Sequence, residues 1–338
     1  MHNVIVTGGA GFIGSHTCVE LVAAGYRPVI VDDLRNSQEQ VLKGISAILG
    51  RTPVVHRIDC ADEAALDRVF HAEGPIHGVI HFAADKAVGE SVRDPLKYYA
   101  NNVGSLLTVL RVMARHGVRD IVFSSSCTVY GSPAELPVAE DAPDGNAMSP
   151  YGSTKVMCER ILRDATTADQ GLRAVLLRYF NPVGAHPSGL IGELPVGVPN
   201  NLVPFVAQAA AGLRDRVTVY GNDYDTADGT CVRDYIHVVD LARAHVSALR
   251  WMAEAAGSCE TFNIGTGRGN SVLEVLRTFQ EENGVQVPFV IGPRREGDVP
   301  AVYADVRRSR KVLGWSSTLT LRDALRDAWR WQGRLAQG

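Results

Sequence analysis

Tyr151 and Lys155 are the residues of this chain whose types and spacing most directly suggest chemistry. Four positions apart, they fall one turn apart on the same face of a helix, with roughly 5–6 Å between their Cβ atoms. Ser149-Pro150 just before them reads as a helix start: a serine to cap, then a proline where a missing N–H costs nothing. A phenol that ionises near 10 must be lowered by roughly 3 pH units, about 4 kcal/mol, to act as a base at neutral pH. An ammonium one turn away supplies part of that, and a second cation would supply more. Tyr-x-x-x-Lys also recurs by chance, with the tyrosine packing and the lysine solvated, so its surroundings must decide.

The N-terminal stretch offers those surroundings a dinucleotide. Residues 3–7 form a short apolar run suited to a buried parallel strand. Gly8, Gly11 and Gly14 follow, and an apolar helical pattern runs from Ile13 through Cys18, Leu21 and Val22 to a stop at Gly25. Strand, glycine turn and helix in that order allow close backbone approach to a pyrophosphate, with the helix N-terminus facing the anion. A second strand, 28–31, ends at Asp32-Asp33. A carboxylate there meets ribose hydroxyls and repels a 2′-phosphate, which favours NAD over NADP.

Alternation then continues: strand 53–56 ending near Asp59, helix 64–70, strand 78–82, helix 95–115, strand 120–124, the Tyr151 helix to about 168, strand 172–178. Repeated strand–helix units predict an α/β fold, a Rossmann-type doubly wound parallel sheet with ligands at the carboxyl ends of its strands. The glycine turn, Asp32, Phe82, Ser126 and Tyr151 all fall at that edge. The reading divides the chain into a nucleotide-binding domain, 1–180, and a smaller α/β substrate domain, 181–338, some of whose segments return to the first. Beyond Phe180 long Gly-, Pro- and Asn-rich loops (184–201 and 221–230) suggest function rather than accident. Asn201 is expected to cap a helix opening at Leu202, and 231–238 to be one strand. Arg233 and Arg295 are candidate pyrophosphate clamps, since arginine grips phosphate bidentately; the alternative for each is a surface ion pair. Residues 319–335 read as an amphipathic helix with Trp329 and Trp331 against the core.

Composition narrows the classes. A net charge of −3 and no long basic run give no pull toward nucleic acid. Apolar runs are broken well before about 18 residues, so no membrane span is expected, and Met1-His2-Asn3-Val4 has no charged leader region. Six scattered cysteines without a C-x-x-C pair suit reduced thiols in a cytoplasmic protein, and no His/Cys/Asp spacing suits a metal.

Gly8-x-x-Gly11-x-x-Gly14, Ser126 ahead of Tyr151-x-x-x-Lys155, and Arg233-Asp234-Tyr235-Ile236-His237 together resemble the extended short-chain dehydrogenase/reductase superfamily. The blocks 86–91, 124–126, 178–189, 199–202, 221–224 and 294–298 narrow the resemblance, over essentially the whole chain, to the UDP-glucose (UDP-galactose) 4-epimerase family. That resemblance implies reversible epimerisation at C4 of a UDP-hexose through a transient 4-keto sugar, with tightly bound NAD, in a homodimer pairing helices 95–115 and 151–168. It implies Ser126, Tyr151 and Lys155 as catalytic. Around NAD it implies Gly8, Gly11, Phe12, Ile13, Gly14, Asp32, Asp33, Asn36, Ser37, Asp59, Cys60, Phe82, Ala83, Ala84, Lys86, Asn101, Ser124, Tyr151, Lys155 and Phe180. Around the UDP-sugar it implies Lys86, Ser126, Tyr151, Asn181, Asn200, Asn201, Leu202, Thr218, Val219, Tyr220, Arg233, Arg295, Asp298 and Val302.

The chain departs from the family pattern at several points. Asp33 and Cys60 stand where well-known members carry Asn and Ile, and Ala84-Asp85 where Gly-Leu is usual. Val302 falls at the position that gates the sugar pocket. A tyrosine there goes with refusal of N-acetylated sugars and a smaller residue with acceptance, so UDP-GlcNAc and UDP-GalNAc are candidate further substrates, unless Tyr303 fills the same space. A 4,6-dehydratase would need an acidic pair where this chain has Ser125-Ser126-Cys127. Other readings are a 4-epimerase of another UDP-sugar such as UDP-glucuronate and, from a different class, a non-catalytic NAD-sensing module. The last has no use for Ser126, Tyr151 and Lys155 together.

Overall fold

Residues 1–145, 147–254, 259–295 and 297–336 are described by the computed structural model; Glu296, inside the 294–298 block, lies outside them. Apolar strands and helices alternate through the first half: β1 (His2–Thr7), α1 (Phe12–Ala23), β2 (Tyr26–Val31), α2 (Glu39–Leu49), β3 (Val54–His56), α3 (Glu63–Glu73) and β4 (Ile76–His81). Short α4 (Val88–Arg93) and α5 (Pro95–Tyr98) lead through a π-helical segment, Tyr99–Val103, into α6 (Gly104–Arg115), β5 (Asp120–Ser126), α7 (Pro150–Ala168) and β6 (Arg173–Tyr179). The second half runs β7 (Asn181–Val183), α8 (Leu202–Ala210), β8 (Val217–Tyr220), β9 (Val232–Arg233), β10 (Tyr235–His237), α9 (Val238–Glu254), β11 (Cys259–Ile264), β12 (Asn270–Ser271), α10 (Val272–Asn283), β13 (Phe289–Gly292), β14 (Ala301–Val302), α11 (Arg307–Lys311) and α12 (Leu321–Leu335).

The main sheet is parallel throughout, in the order β11-β6-β5-β4-β1-β2-β3. Strand side chains alternate between its faces. Val4, Val6 and Ile30 pack with Cys18 and Leu21 of α1, Ile45 of α2 and Leu249 of α9. Ile5, Val29 and Val31 pack on the other side with Phe70 of α3, Val109 of α6 and Leu162 of α7. Helices on both faces make the doubly wound sheet that the alternation predicts. β11, from beyond residue 180, pairs with β6, and α9 lies against α1. The strand order reverses around β1, which lies between β2 and β4, and a doubly wound sheet binds its ligand at such a switch point. A further apolar cluster joins α8, β8, α10 and α12. Trp331 is buried, and Trp329 meets Phe279 edge-on at 5.8 Å.

Three local expectations are corrected. The predicted helix 95–115 carries the π-helical widening at Tyr99–Val103, a feature common at functional sites. Here Asn102 reaches the β4 mouth and Asn101 reaches Arg35. The strand expected over 231–238 breaks at Asp234, because its buried carboxylate gathers the N–H groups of Thr266, Gly267 and Ala304. Asn201 stands at the N-cap of α8 without capping it, since its amide turns to Glu193 at 2.6 Å.

Candidate active site

Ser149 caps α7 through the Gly152 N–H, at 3.2 Å, with Pro150 in the first turn. That start directs Tyr151 and Lys155 toward the carboxyl end of β5. Lys155, only 4% exposed, donates to the Ser124 carbonyl at 2.7 Å, 5.0 Å from the centre of the Phe123 ring and 5.8 Å from that of Tyr151. Ser126 ends β5, and its hydroxyl accepts the Thr128 N–H at 3.2 Å. Tyr179, at the end of β6, hydrogen-bonds the Ser124 hydroxyl.

The electrostatics differ from what the spacing suggests. Burial pulls the Lys155 ammonium down to about 8, with Cys158 and Glu159 acting in the opposite sense. Burial pushes the Tyr151 phenol up to about 12; the Ser126 hydroxyl works against this and Cys127 in the same sense. In the chain alone the phenol therefore lies above its ordinary value, not below it. Desolvation outweighs an ammonium already committed to a backbone carbonyl. His81, beneath the pair, is brought down to about 3 by burial and by the Lys155 charge, and its Nδ1 meets the Thr7 hydroxyl at 2.7 Å.

Beside this apex lies the glycine turn. Gly8 has φ +69°, and a Cβ on it would lie 2.9 Å from the Ala83 nitrogen. A Cβ on Gly14 would lie 2.2 Å from the Gly8 carbonyl oxygen. Gly11 stands at the α1 N-cap, and no side chain caps that helix. A tight turn under an uncapped N-terminus suits a pyrophosphate, so the chain fits the cofactor implied for it. Asp32, past the end of β2, accepts from Ala10 N, Leu34 N and the Ser37 hydroxyl, each at 2.9 Å. Asn36 donates to Asp85 at 3.1 Å. Phe82 and Ala83 sit at the β4 mouth, Phe82 held by its N–H to the Thr7 carbonyl and tilted against His245 with ring centres 4.6 Å apart. Asp85, after Ala84, is held in place here, because Asn102 bonds both Asp85 N and Asp85 O, at 2.8 and 3.0 Å.

On the facing side, Asn181 follows Phe180 and gives its N–H to the Asp234 carbonyl at 2.9 Å. Arg233 is held by the Val232 and Val299 carbonyls, each at 2.9 Å, and lies 3.5 Å from Asp298. Arg295 grips the same Asp298 at 3.1 and 2.8 Å, with Tyr220 5.9 Å beneath its guanidinium. Cys127, next to Ser126, packs in the same apolar cluster as Phe180 and Val302. Val302 is buried with Phe180, Tyr130 and Val129. Tyr303 is turned elsewhere, onto Gly269.

Some expected residues stand apart. The Cys60 and Val219 side chains are buried in the two apolar clusters, so only their backbones could face a ligand, and Asn200 is exposed. Leu202 is half-buried against that second cluster, and Thr218 is half-buried on β8 between Val217 and Val219. Asp33 and Asp59 are both engaged by Arg35. Sequence reading missed Arg35, Asn102 and Glu193. Arg35 lies three residues past Asp32, and a cation so close to an acidic pair is a local signal of an ion pair. Glu193 bonds both Lys86, at 3.3 Å, and Asn201. Nothing local could reveal Lys86 as a partner, so far away in the chain.

The family described as the NAD dependent epimerase/dehydratase family matches residues 4–265. A UDP-glucose 4-epimerase of Dictyostelium discoideum is 51% identical over 97% of this chain and 95% of its own length. A crystal structure of UDP-glucose 4-epimerase from Bifidobacterium longum, in complex with NAD+ and UDP, superposes with a TM-score of 0.95 at 49% identity, covering 99% of both chains. One from Stenotrophomonas maltophila, with bound NAD and formylated UDP-arabinopyranose, has a TM-score of 0.97 at 48% identity, covering 100% of this chain and 99% of the other.

Proposed function

Because this chain belongs to the NAD dependent epimerase/dehydratase family, we propose that it interconverts UDP-glucose and UDP-galactose by reversible epimerisation at C4, with NAD as resident cofactor. The observation that carries this reading is the meeting of Tyr151, Lys155 and Ser126 at the strand mouths, beside an uncapped glycine turn. NAD, when bound, supplies the acceptor and donor of the C4 hydride and brings a positive charge to the site. The first-turn amides of α1, Asp32, Phe82 and Lys155 are the groups we assign to holding it.

Tyr151 Oη takes the proton of the sugar 4-OH, and Ser126 Oγ hydrogen-bonds the same oxygen. A phenol near 12 cannot do this at pH 7, so Lys155 and one further cation must act together to stabilise the phenolate. The 4-keto sugar turns over, its oxygen takes the proton back from Tyr151, and C4 would take back on its other face the hydride that NAD had accepted, so proton and hydride both return and no net redox change remains. Throughout, Arg233, Arg295, Asn181 and Asn201 hold the UDP end, so binding energy remote from C4 keeps the reacting end in place. The 4,6-dehydratase reading is disfavoured at the same spot: β5 ends in serines, and Ser125 is turned to Glu159 rather than to the site.

We divide the roles between residues 1–180 with the returning α9 and β11, for the dinucleotide, and the remainder for the sugar. Exposed Val88, Val92, Leu96 and Met157, on α4, α5 and α7, support a homodimer through that surface. Six unpaired cysteines suit a cytoplasmic location. Small Val302, with Tyr303 turned away, supports acceptance of N-acetylated sugars. Coupled turnover of UDP-galactose and UDP-GalNAc side by side tests both readings. Failure on UDP-GalNAc alone removes the second substrate, and failure on both removes the function.

A further inference from the structure

The catalytic face of α7 continues inward past Lys155. Tyr151, Lys155 and Glu159 follow one another at intervals of four, and Ser126, Ser125 and Ser124 close β5 beside them. The two rows are joined: Lys155 to the Ser124 carbonyl, the Ser125 hydroxyl to a Glu159 oxygen, and Tyr151 facing Ser126. Glu159 and Arg178 are each 1% exposed. Arg178, on β6, gives Nε and Nη2 to the two Glu159 oxygens at 2.9 and 2.6 Å. Its remaining bonds go to Asp144 at 2.6 Å and the Glu140 carbonyl at 3.2 Å, with the Tyr130 ring 4.8 Å away. Arg163 adds a bond to Glu159 at 2.8 Å.

Burial would raise the Glu159 carboxyl, but Arg178 overrides it and holds the carboxyl below its usual range, so the pair is ionic. A buried ion pair contributes little net stability, because desolvation offsets most of the attraction. Its fixed donor and acceptor directions do specify where two elements sit. Neither residue lies where a substrate would react, yet both lie directly behind residues that do.

We propose that Glu159, locked by Arg178, is a positioning residue for the epimerisation: through Ser125 it sets the register of α7 on β5, and so the meeting of Tyr151 with Ser126. The proposal rests on the epimerase reading. Its charge has a second effect, on Lys155. The groups around that ammonium are Tyr151, Cys158 and Glu159 on α7, His81 on β4, Phe123 and Ser124 on β5 and Tyr179 on β6. His81 is neutral, burial pushes the Cys158 thiol up to about 11 and the Tyr179 phenol up as well, and this leaves Glu159 as the anion that favours the protonated lysine.

Ser125→Ala and Glu159→Gln separate the two effects. In NAD-loaded enzyme turning over UDP-galactose, Ser125→Ala should lower kcat about tenfold, with KM and the alkaline limb of the pH profile unchanged. Glu159→Gln should lower kcat about a hundredfold and also move the alkaline limb to lower pH, and Glu159→Asp should restore the limb. Amide hydrogen exchange across α7, which does not depend on turnover, should rise in both Ser125→Ala and Glu159→Gln. Wild-type kcat in Ser125→Ala overturns the proposal, as does an unmoved limb in folded Glu159→Gln or unchanged α7 exchange. If Glu159→Gln does not fold, Ser125→Ala decides by kcat and exchange. A wild type that ignores UDP-galactose would refute the epimerase reading, and α7 exchange would still decide the positioning role.

Discussion

Replacing Lys155 by methionine separates the cost of burying its charge from what that charge does in the site. Burial lowers the ammonium from 10.5 to about 8. At 1.36 kcal/mol per unit, the buried charge destabilises the folded chain by about 3 kcal/mol at pH 7. Because the folded value lies below the unfolded one, the unfolded chain binds more protons between about pH 8 and 10.5, and stability rises with pH across that window. Below it both states are protonated and the penalty is constant; above it the penalty is gone. Lys155→Met has no such dependence. It loses the 2.7 Å bond to the Ser124 carbonyl, which offsets part of the gain at pH 7, so the informative quantity is the change with pH. Urea unfolding of the two NAD-free chains should show the wild type gaining about 3 kcal/mol on the variant between pH 7 and 10.5. Titrations common to both chains cancel. A difference flat to within about 0.5 kcal/mol would refute the claim that Lys155 is held desolvated and charged.

Other consequences follow from the same geometry. Gly14→Ala places a Cβ 2.2 Å from the Gly8 carbonyl oxygen, so the protein should lose at least about 2 kcal/mol and be purified without NAD, as checked by thermal melting and by nucleotide released on denaturation. Asp32→Ser removes the carboxylate at the ribose end, and the preference for NAD over NADP should fall by about tenfold or more in binding titrations. If the proposed homodimer forms through α4 and α5, sedimentation should report a dimer for the wild type and a monomer for Val92→Asp with Leu96→Asp, which charges positions that are 61% and 78% exposed.

How far the chain could be read depended on how local each interaction is. The glycine turn, the Tyr151–Lys155 spacing and the Ser149-Pro150 start are written within a few residues, and the structure places them together at the strand mouths. Their energetics were not legible. The spacing of Tyr151 and Lys155 says nothing of how deeply each is desolvated, and desolvation decides both shifts. Helix α2 went unread although Val41, Leu42 and Ile45 carry its period, because no capping side chain at its Gln38 N-cap marks the start. Asn102 and Glu193 were out of reach for a different reason. Asn102 ties Asp85 to Thr154, and Glu193 joins Lys86 to Asn201, across separations that only the folded topology brings to contact. The Glu159–Arg178 pair is of the same kind, with its partners on α7 and β6.

The most direct test of the account is the steady-state conversion of UDP-galactose by wild-type and Tyr151→Phe enzyme, with no external oxidant added. Sustained wild-type turnover, and a variant that binds UDP equally well but turns over at least about a hundredfold more slowly, is the expected result. A Tyr151→Phe enzyme with near-normal kcat would contradict the assignment of the C4 hydroxyl proton to that phenol.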